Sequence, residues 1–195
     1  SIAEAAKEGD ETAKEVYRIS GEKLGKGLAL MIDTLNPERI IIGGVYARSR
    51  HLLWESAKEE IVKEALRYRE YFGSEGGITL SGGEPLLQAE FAREVFSLCH
   101  KEGINTCLDT SGSVINDSVI ALLDECDRVL LDYKYVTDEL YRENVGCPIE
   151  AVREFLALLQ KKKIPTTLRQ VIIPTLNDTV ESVEMLRNIA ANHPC

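Results

Sequence analysis

Thr79-Leu80-Ser81-Gly82-Gly83-Glu84-Pro85 ends a short run, Ile78 to Leu80, that reads as a strand, and directly precedes a helical stretch, Leu87 to His100. Paired glycines at the C-terminal end of a strand remove two side chains where the next helix begins, so backbone groups can approach a ligand closely. Alone, such a pair would read as a plain tight βα turn. The neighbouring strand ends shift that balance. Asp109-Thr110-Ser111-Gly112 closes the strand Asn105 to Leu108, Asp132-Tyr133-Lys134 closes Val129 to Leu131, and Arg169 lies within Thr167 to Ile173. In a parallel barrel these ends meet on one face, where ligands bind. Asp109, Asp132, Lys134 and Arg169 then offer both signs of charge to a zwitterionic ligand.

Helices are expected between and after these strands, at Asp117 to Glu125, Asp138 to Asn144 and Ile149 to Lys162, with a last one, preceded by Asn177-Asp178, running to Ala191. Strict alternation of short apolar strands with amphipathic helices is the pattern of an α/β fold with a parallel sheet or partial (β/α) barrel. Upstream the pattern differs. Val16, Ile19, Leu24, Leu28, Met31, Ile32 and Leu35 recur at three- and four-residue steps, which predicts one long helix from Glu11 to Thr34 that ends at Asn36-Pro37. Arg39 to Ile42, closed by Gly43-Gly44, reads as a buried strand, and Ser49 to Tyr68 as a further helix.

The chain has 195 residues, 44% hydrophobic and 28% charged, which is a globular balance. A formal net charge of -9 argues against nucleic-acid binding as the main function, because such proteins present a basic face. No apolar run approaches a membrane span and no leader precedes a cleavage site, so the expectation is a soluble cytoplasmic protein without membrane partners. The chain opens on Ser1 and stops directly after a helical pattern, so both ends look cut. Its cysteines, Cys99, Cys107, Cys126, Cys147 and Cys195, are odd in number and fit a reducing compartment. None forms a local chelate spacing such as C-x-x-x-C-x-x-C. Cys99 and Cys126 read as core residues of helices, and Cys107 as a buried mid-strand residue.

The motifs Tyr68-Arg69-Glu70-Tyr71-Phe72, Gly76 to Gln88, Gly103 to Gly112 and Leu131-Asp132-Tyr133-Lys134 resemble the pyruvate formate-lyase activating enzyme family, from about Val62 to the end. That family is a group of radical S-adenosylmethionine (SAM) activases of glycyl-radical enzymes. The resemblance implies a partial radical-SAM barrel in which Gly82, Gly83 and Glu84 hold the amino group of the SAM methionine, with Asp109, Lys134 and Arg169 also at SAM. It further places Asp109, Thr110 and Asp132 near a monovalent cation, and implies a glycyl-radical enzyme as partner. Two departures stand against full activity. The cysteine motif that ligates the family's [4Fe-4S] cluster is missing, and the ribose-contacting His of the family's sixth strand would fall beyond Cys195. The resemblance therefore implies a SAM-binding scaffold that is catalytically incomplete in this chain.

Residues 1–61 resemble something else. Glu8-Gly9-Asp10, Leu24 to Ala29 and Leu35 to Gly44 are similar to the C-terminal segment of ROK-family sugar kinases, with an actin-like ATPase core. This makes a nucleotide- or sugar-binding kinase fragment the alternative reading, and a chimera of segments 1–61 and 62–195 the expected organisation. In that arrangement Arg39 to Ile42 takes the edge place beside Ile78 to Leu80 and gives a five-stranded open barrel. The opposite edge, Thr167 to Ile173, would be exposed or covered by homo-oligomerisation.

Overall fold

The computed structural model describes residues 2–35 and 45–193. Two compact units can be distinguished, one of residues 1–78 with 94–105 and the other of residues 79–93 with 106–195.

The first unit is mainly helical. Helix α1 spans Ile2–Lys7, α2 Glu11–Leu35, α3 Val45–Arg67 and α4 Arg69–Phe72. Ala6, Ala13, Tyr17 and Leu53 form a small buried cluster flanked by Ala3, Ala5 and Leu52. Small residues set how closely α2 and α3 approach: a Cβ on Gly21 would lie 2.7 Å from the Leu53 carbonyl oxygen, and one on Gly25 3.2 Å from that of Ala57. The Lys58 side chain is also buried, and it is held by two carboxylates. Its ammonium pairs with Glu55 at 2.9 Å and with Glu94, which also accepts from Trp54 Nε1 at 3.0 Å. A buried ammonium needs such partners, because desolvation alone would expel its charge.

Four strands, β1 (Gly77–Leu80), β2 (Asn105–Thr110), β3 (Arg128–Asp132) and β4 (Thr166–Arg169), form one sheet in the order β1-β2-β3-β4. The β2–β3 and β3–β4 pairs are parallel, with Asp109 opposite Leu130 and Asp132 opposite Arg169. Between the strands run a 3-10 turn at Pro85–Gln88, α5 (Ala89–Lys101), α6 (Asp117–Leu123), α7 (Asp138–Asn144) and α8 (Glu150–Lys162), with α9 (Val180–Asn192) last. Side-chain caps start several of these helices. Asn116 accepts from Val119 N, Thr137 from Leu140 N and Thr179 from Ser182 N, each satisfying a backbone donor that the helix cannot. In the second unit Leu108, Val119, Leu122, Val129, Phe155 and Leu159 are fully buried.

One expectation changes. The strand expected to run from Thr167 to Ile173 stops at Arg169. Asn177, fully buried, captures the next stretch of backbone instead, accepting from Ile173 N at 2.6 Å and donating from Nδ2 to Val171 O at 2.9 Å. Val171, Ile172 and Ile173 are thereby left exposed rather than laddered. The described sheet has four strands, and Arg169 ends the last of them. The last helix follows Asn177-Asp178 as expected, starting at Val180 with Thr179 as its cap. Arg39 to Ile42 and Gly43-Gly44 lie outside the described residues. No described helix is long and apolar enough to cross a membrane.

Candidate functional site

The carboxyl ends of β1 to β4 bring most of the expected residues together within the second unit. Arg169 Nη2 reaches Asp109 Oδ1 and, at 2.8 Å, Asp132 Oδ1, while Nε donates to the same Asp132 oxygen at 3.1 Å. The strand pairing explains the meeting: Asp132 lies opposite Arg169 in register, and Asp109 is the penultimate residue of the next strand along. Desolvation works against the guanidinium's charge, but hydrogen bonding and attraction from Asp132 and Asp109 outweigh it and keep Arg169 above its ordinary value.

The Asp109 carboxylate also accepts from Ser81 Oγ at 2.9 Å. Gly82 and Gly83 follow with φ of +86° and +58°, a region that L side chains rarely adopt. Both are exposed, and their backbone groups make no hydrogen bond within the described residues. Glu84 then caps the 3-10 turn, with Pro85 at its first position. The Glu84 carboxylate accepts from Leu86 N at 3.1 Å, Thr110 Oγ1 at 2.6 Å, Ser111 N at 3.0 Å and Ser111 Oγ at 2.5 Å. Lys134 is exposed directly beyond β3. Its backbone N–H donates to Tyr141 Oη at 3.1 Å.

Two side chains matter more here than their residue types suggested. Ser81 and Ser111 tie the β1 end to the β2 end on either side of Gly82-Gly83. Both stand in the quoted motifs, but a serine beside a glycine turn carries no signal of its partner until the adjacent strands are placed in register.

The four described cysteines do not suit a [4Fe-4S] cluster, which takes its thiolates from converging ligands. Cys99 lies in α5, Cys107 in β2, Cys126 between α6 and β3, and Cys147 after α7. Burial pushes the Cys99 thiol up to about 11 and the Cys126 thiol up to about 12, from an ordinary 9.0, which disfavours the thiolate that iron needs. Burial raises Cys107 as well. Among the described residues no group of three or more His, Cys, Asp or Glu is placed to hold a metal ion.

These thiols carry a testable pH dependence. At pH above 9 the unfolded chain releases thiol protons that the folded chain keeps, so the associated stability is full below about pH 9 and drains away towards pH 11–12. Tyr141, raised by burial to about 12, adds in the same direction above pH 10. Urea midpoints are expected to hold steady from about pH 7 to 8.5 and to fall above about pH 9, with a shallower fall in a Cys99→Ala/Cys126→Ala variant. An equal slope in both proteins would contradict the assignment.

A sequence profile of the Radical SAM superfamily matches residues 36–187. The chain belongs to the radical SAM superfamily. Its curated relatives include the pyruvate formate-lyase 1-activating enzyme of Escherichia coli (strain K12), 42% identical over 135 residues that cover 68% of this chain and 55% of that protein. The pyruvate formate-lyase-activating enzyme of Clostridium pasteurianum is 39% identical over 139 residues, 71% of this chain and 58% of its own. The chain thus spans little more than half the length of these relatives. Among solved structures, a domain of pyruvate-formate lyase-activating enzyme from Bacteroides vulgatus superposes with a TM-score of 0.55 at 24% identity, covering 60% of this chain and 73% of that one. Streptococcus suis SuiB gives a TM-score of 0.52 at 12% identity over 95% of this chain and 50% of its own. Both likenesses concern the fold.

The superfamily match begins at residue 36, inside the segment 1–61 that resembles a sugar kinase, so residues 36–61 fall within the radical-SAM region.

Proposed function

We propose that this chain forms the SAM-binding βα portion of a glycyl-radical-enzyme activase, with pyruvate formate-lyase or a related glycyl-radical enzyme as its partner. The observation that carries the proposal is the convergence of Gly82-Gly83-Glu84, Asp109, Asp132 and Arg169 at adjacent strand ends, in a chain that is 42% identical over 135 residues to such an activase. The donor set fits the methionine end of SAM. Exposed backbone at Gly82 and Gly83 can meet the ammonium and carboxylate groups, Asp109 supplies negative charge, and Lys134 and Arg169 supply positive charge. In this family bound SAM supplies the hydrogen-abstracting group. The chain's own part is to hold and orient it.

The monovalent-cation role of Asp109, Thr110 and Asp132 belongs to the same proposal. Arg169 brings a positive charge to both carboxylates, and the Thr110 hydroxyl proton is committed to Glu84. A cation would therefore share the carboxylates with Arg169. The described cysteines give no cluster site, so this chain by itself is read as a binding scaffold and no radical step is assigned to it. A cytoplasmic location is part of the same reading. Nothing beyond the likeness of residues 1–61 favours the sugar-kinase alternative, and no kinase function is proposed.

Thermal-shift titration tests the proposal. Ligand at ten times Kd stabilises a folded protein by about 1.4 kcal/mol, which for a chain of this size raises Tm by about 3–6 °C. SAM is expected to give that shift, and ATP and glucose none. A shift with ATP or glucose but not with SAM would reverse the assignment.

A further inference from the structure

From the bonding at the exit of β3 we infer that Gln170 and Tyr141 are positioning residues: they hold the backbone of Lys134 so that its ammonium meets the carboxylate of the SAM methionine. The inference rests on the proposed SAM site and assigns a role within it to two residues that act through Lys134.

Strand β3 ends at Asp132, so the backbone groups of Tyr133 and Lys134 must find partners beyond the regular ladder. The first partner is the backbone of β4, where Tyr133 N donates to Arg169 O at 2.8 Å. The other three groups are held by side chains. Gln170 Nε2 donates to Tyr133 O at 3.1 Å and to Lys134 O at 3.3 Å, and Tyr141 Oη accepts from Lys134 N at 3.1 Å. The Gln170 amide has one tenable orientation here, because the reverse would set Oε1 against two carbonyl oxygens. In that orientation Oε1 is buried without a hydrogen-bond partner among the described residues. An unpartnered buried oxygen costs stability, so what the glutamine contributes lies in its two donated bonds. Tyr141 is fixed in its turn. It is buried, and its ring meets those of Tyr133 and Tyr135 edge-on at centroid distances of 6.2 and 6.1 Å. Tyr133 and Tyr135 are both buried, which leaves Lys134 as the exposed residue between two anchors. A lysine ammonium rides on a flexible four-carbon stem, so it is steered only as well as its backbone is placed. The guanidinium of Arg169 is already engaged by Asp109 and Asp132, so the ligand carboxylate falls to Lys134.

The test uses two ligands, SAM and decarboxylated SAM, in which hydrogen replaces the methionine carboxylate, with dissociation constants measured by equilibrium dialysis on the whole chain. Gln170→Met keeps the length of the side chain and removes both donated bonds. It is expected to weaken SAM by about fivefold and decarboxylated SAM by less than about twofold. Tyr141→Phe, which removes only the acceptor for Lys134 N, is expected to show the same selectivity with a smaller factor. Because both residues act through Lys134, Gln170→Met should weaken SAM no further in a Lys134→Met background. Hydrogen exchange supplies a readout that needs no ligand: the Lys134 amide should exchange faster in both single variants. Equal loss of the two ligands in both single variants would show a general loosening of the fold and overturn the inference, as would an undiminished effect of Gln170→Met in the Lys134→Met background. Single variants that bind SAM as tightly as a SAM-binding wild type would overturn it too, and leave the SAM site standing. Wild-type protein that binds neither ligand would instead overturn the SAM site itself, and the assigned role with it.

Discussion

Gly77→Ala is expected to strip β1 from the sheet, at a cost of about 3 kcal/mol or more, whereas Gly27→Ala in α2 is expected to leave the chain as stable or up to about 1 kcal/mol more stable. The contrast comes from what each new methyl group would meet. A Cβ on Gly77 would lie 2.0 Å from the Asn105 carbonyl oxygen and 2.6 Å from its carbon, whereas one on Gly27 would find nothing within 4 Å. The obstacle at Gly77 is backbone and cannot rotate away. The two segments must separate, and that costs β1 its pairing with β2 in the sheet. Asn105 adds to the loss. Its Nδ2 donates to Ser74 O at 3.2 Å and Gly76 O at 3.1 Å, so displacing Asn105 also frees the turn that leads into β1. At Gly27 the only change is the gain of a better helix former. Urea unfolding monitored by far-UV circular dichroism measures both variants. A Gly77→Ala protein as stable as Gly27→Ala would mean that the β1 end is not seated as described.

How much of this was legible beforehand depends on the kind of signal. The turn at Gly82-Gly83 could be read because only glycine takes two successive left-handed residues readily. The alternation of α5, α6 and α8 with β2, β3 and β4 could be read because each period of apolar residues is local to its element. Asn116, Thr137 and Thr179 cap helices within three residues of themselves, again a local matter.

Interactions across long stretches of chain were not legible. The strand expected through Ile173 has the right composition, and it fails because Asn177 binds the backbone at Val171 and Ile173. An asparagine before a helix reads as a cap, and nothing in the string shows that it will turn inward. The Lys58–Glu94 pair joins residues 36 positions apart, and the Glu84–Ser111 bonds join residues 27 apart. Glu84 was assigned to a ligand by likeness, although its own donors could be named only once β1 and β2 were placed side by side.

Arg169→Leu is expected to destabilise the second unit by about 1–3 kcal/mol, and adding Asp109→Asn to that variant should recover much of the loss. The guanidinium bonds two carboxylates from different strands, with Asp109 17% exposed, Asp132 38% and Arg169 41%. These exposures place the group between a surface pair, worth about 0–1 kcal/mol, and a buried pair, whose breaking costs about 3–5 kcal/mol. Without Arg169, two like charges remain at neighbouring strand ends, and the less exposed one, Asp109, is the harder for water to screen. Neutralising Asp109 should therefore relieve the variant more than neutralising the more exposed Asp132. Repulsion of this kind is damped by salt, so the penalty of Arg169→Leu should shrink between about 0.05 and 0.5 M sodium chloride, while a penalty from lost packing of the arginine stem would not. Urea unfolding of the wild type, Arg169→Leu, Asp109→Asn and the double variant closes the thermodynamic cycle at each salt concentration. Simple additivity at low salt would show that Arg169 and Asp109 act independently. The assigned charge cluster requires a coupling that is clear at low salt and weaker at high salt.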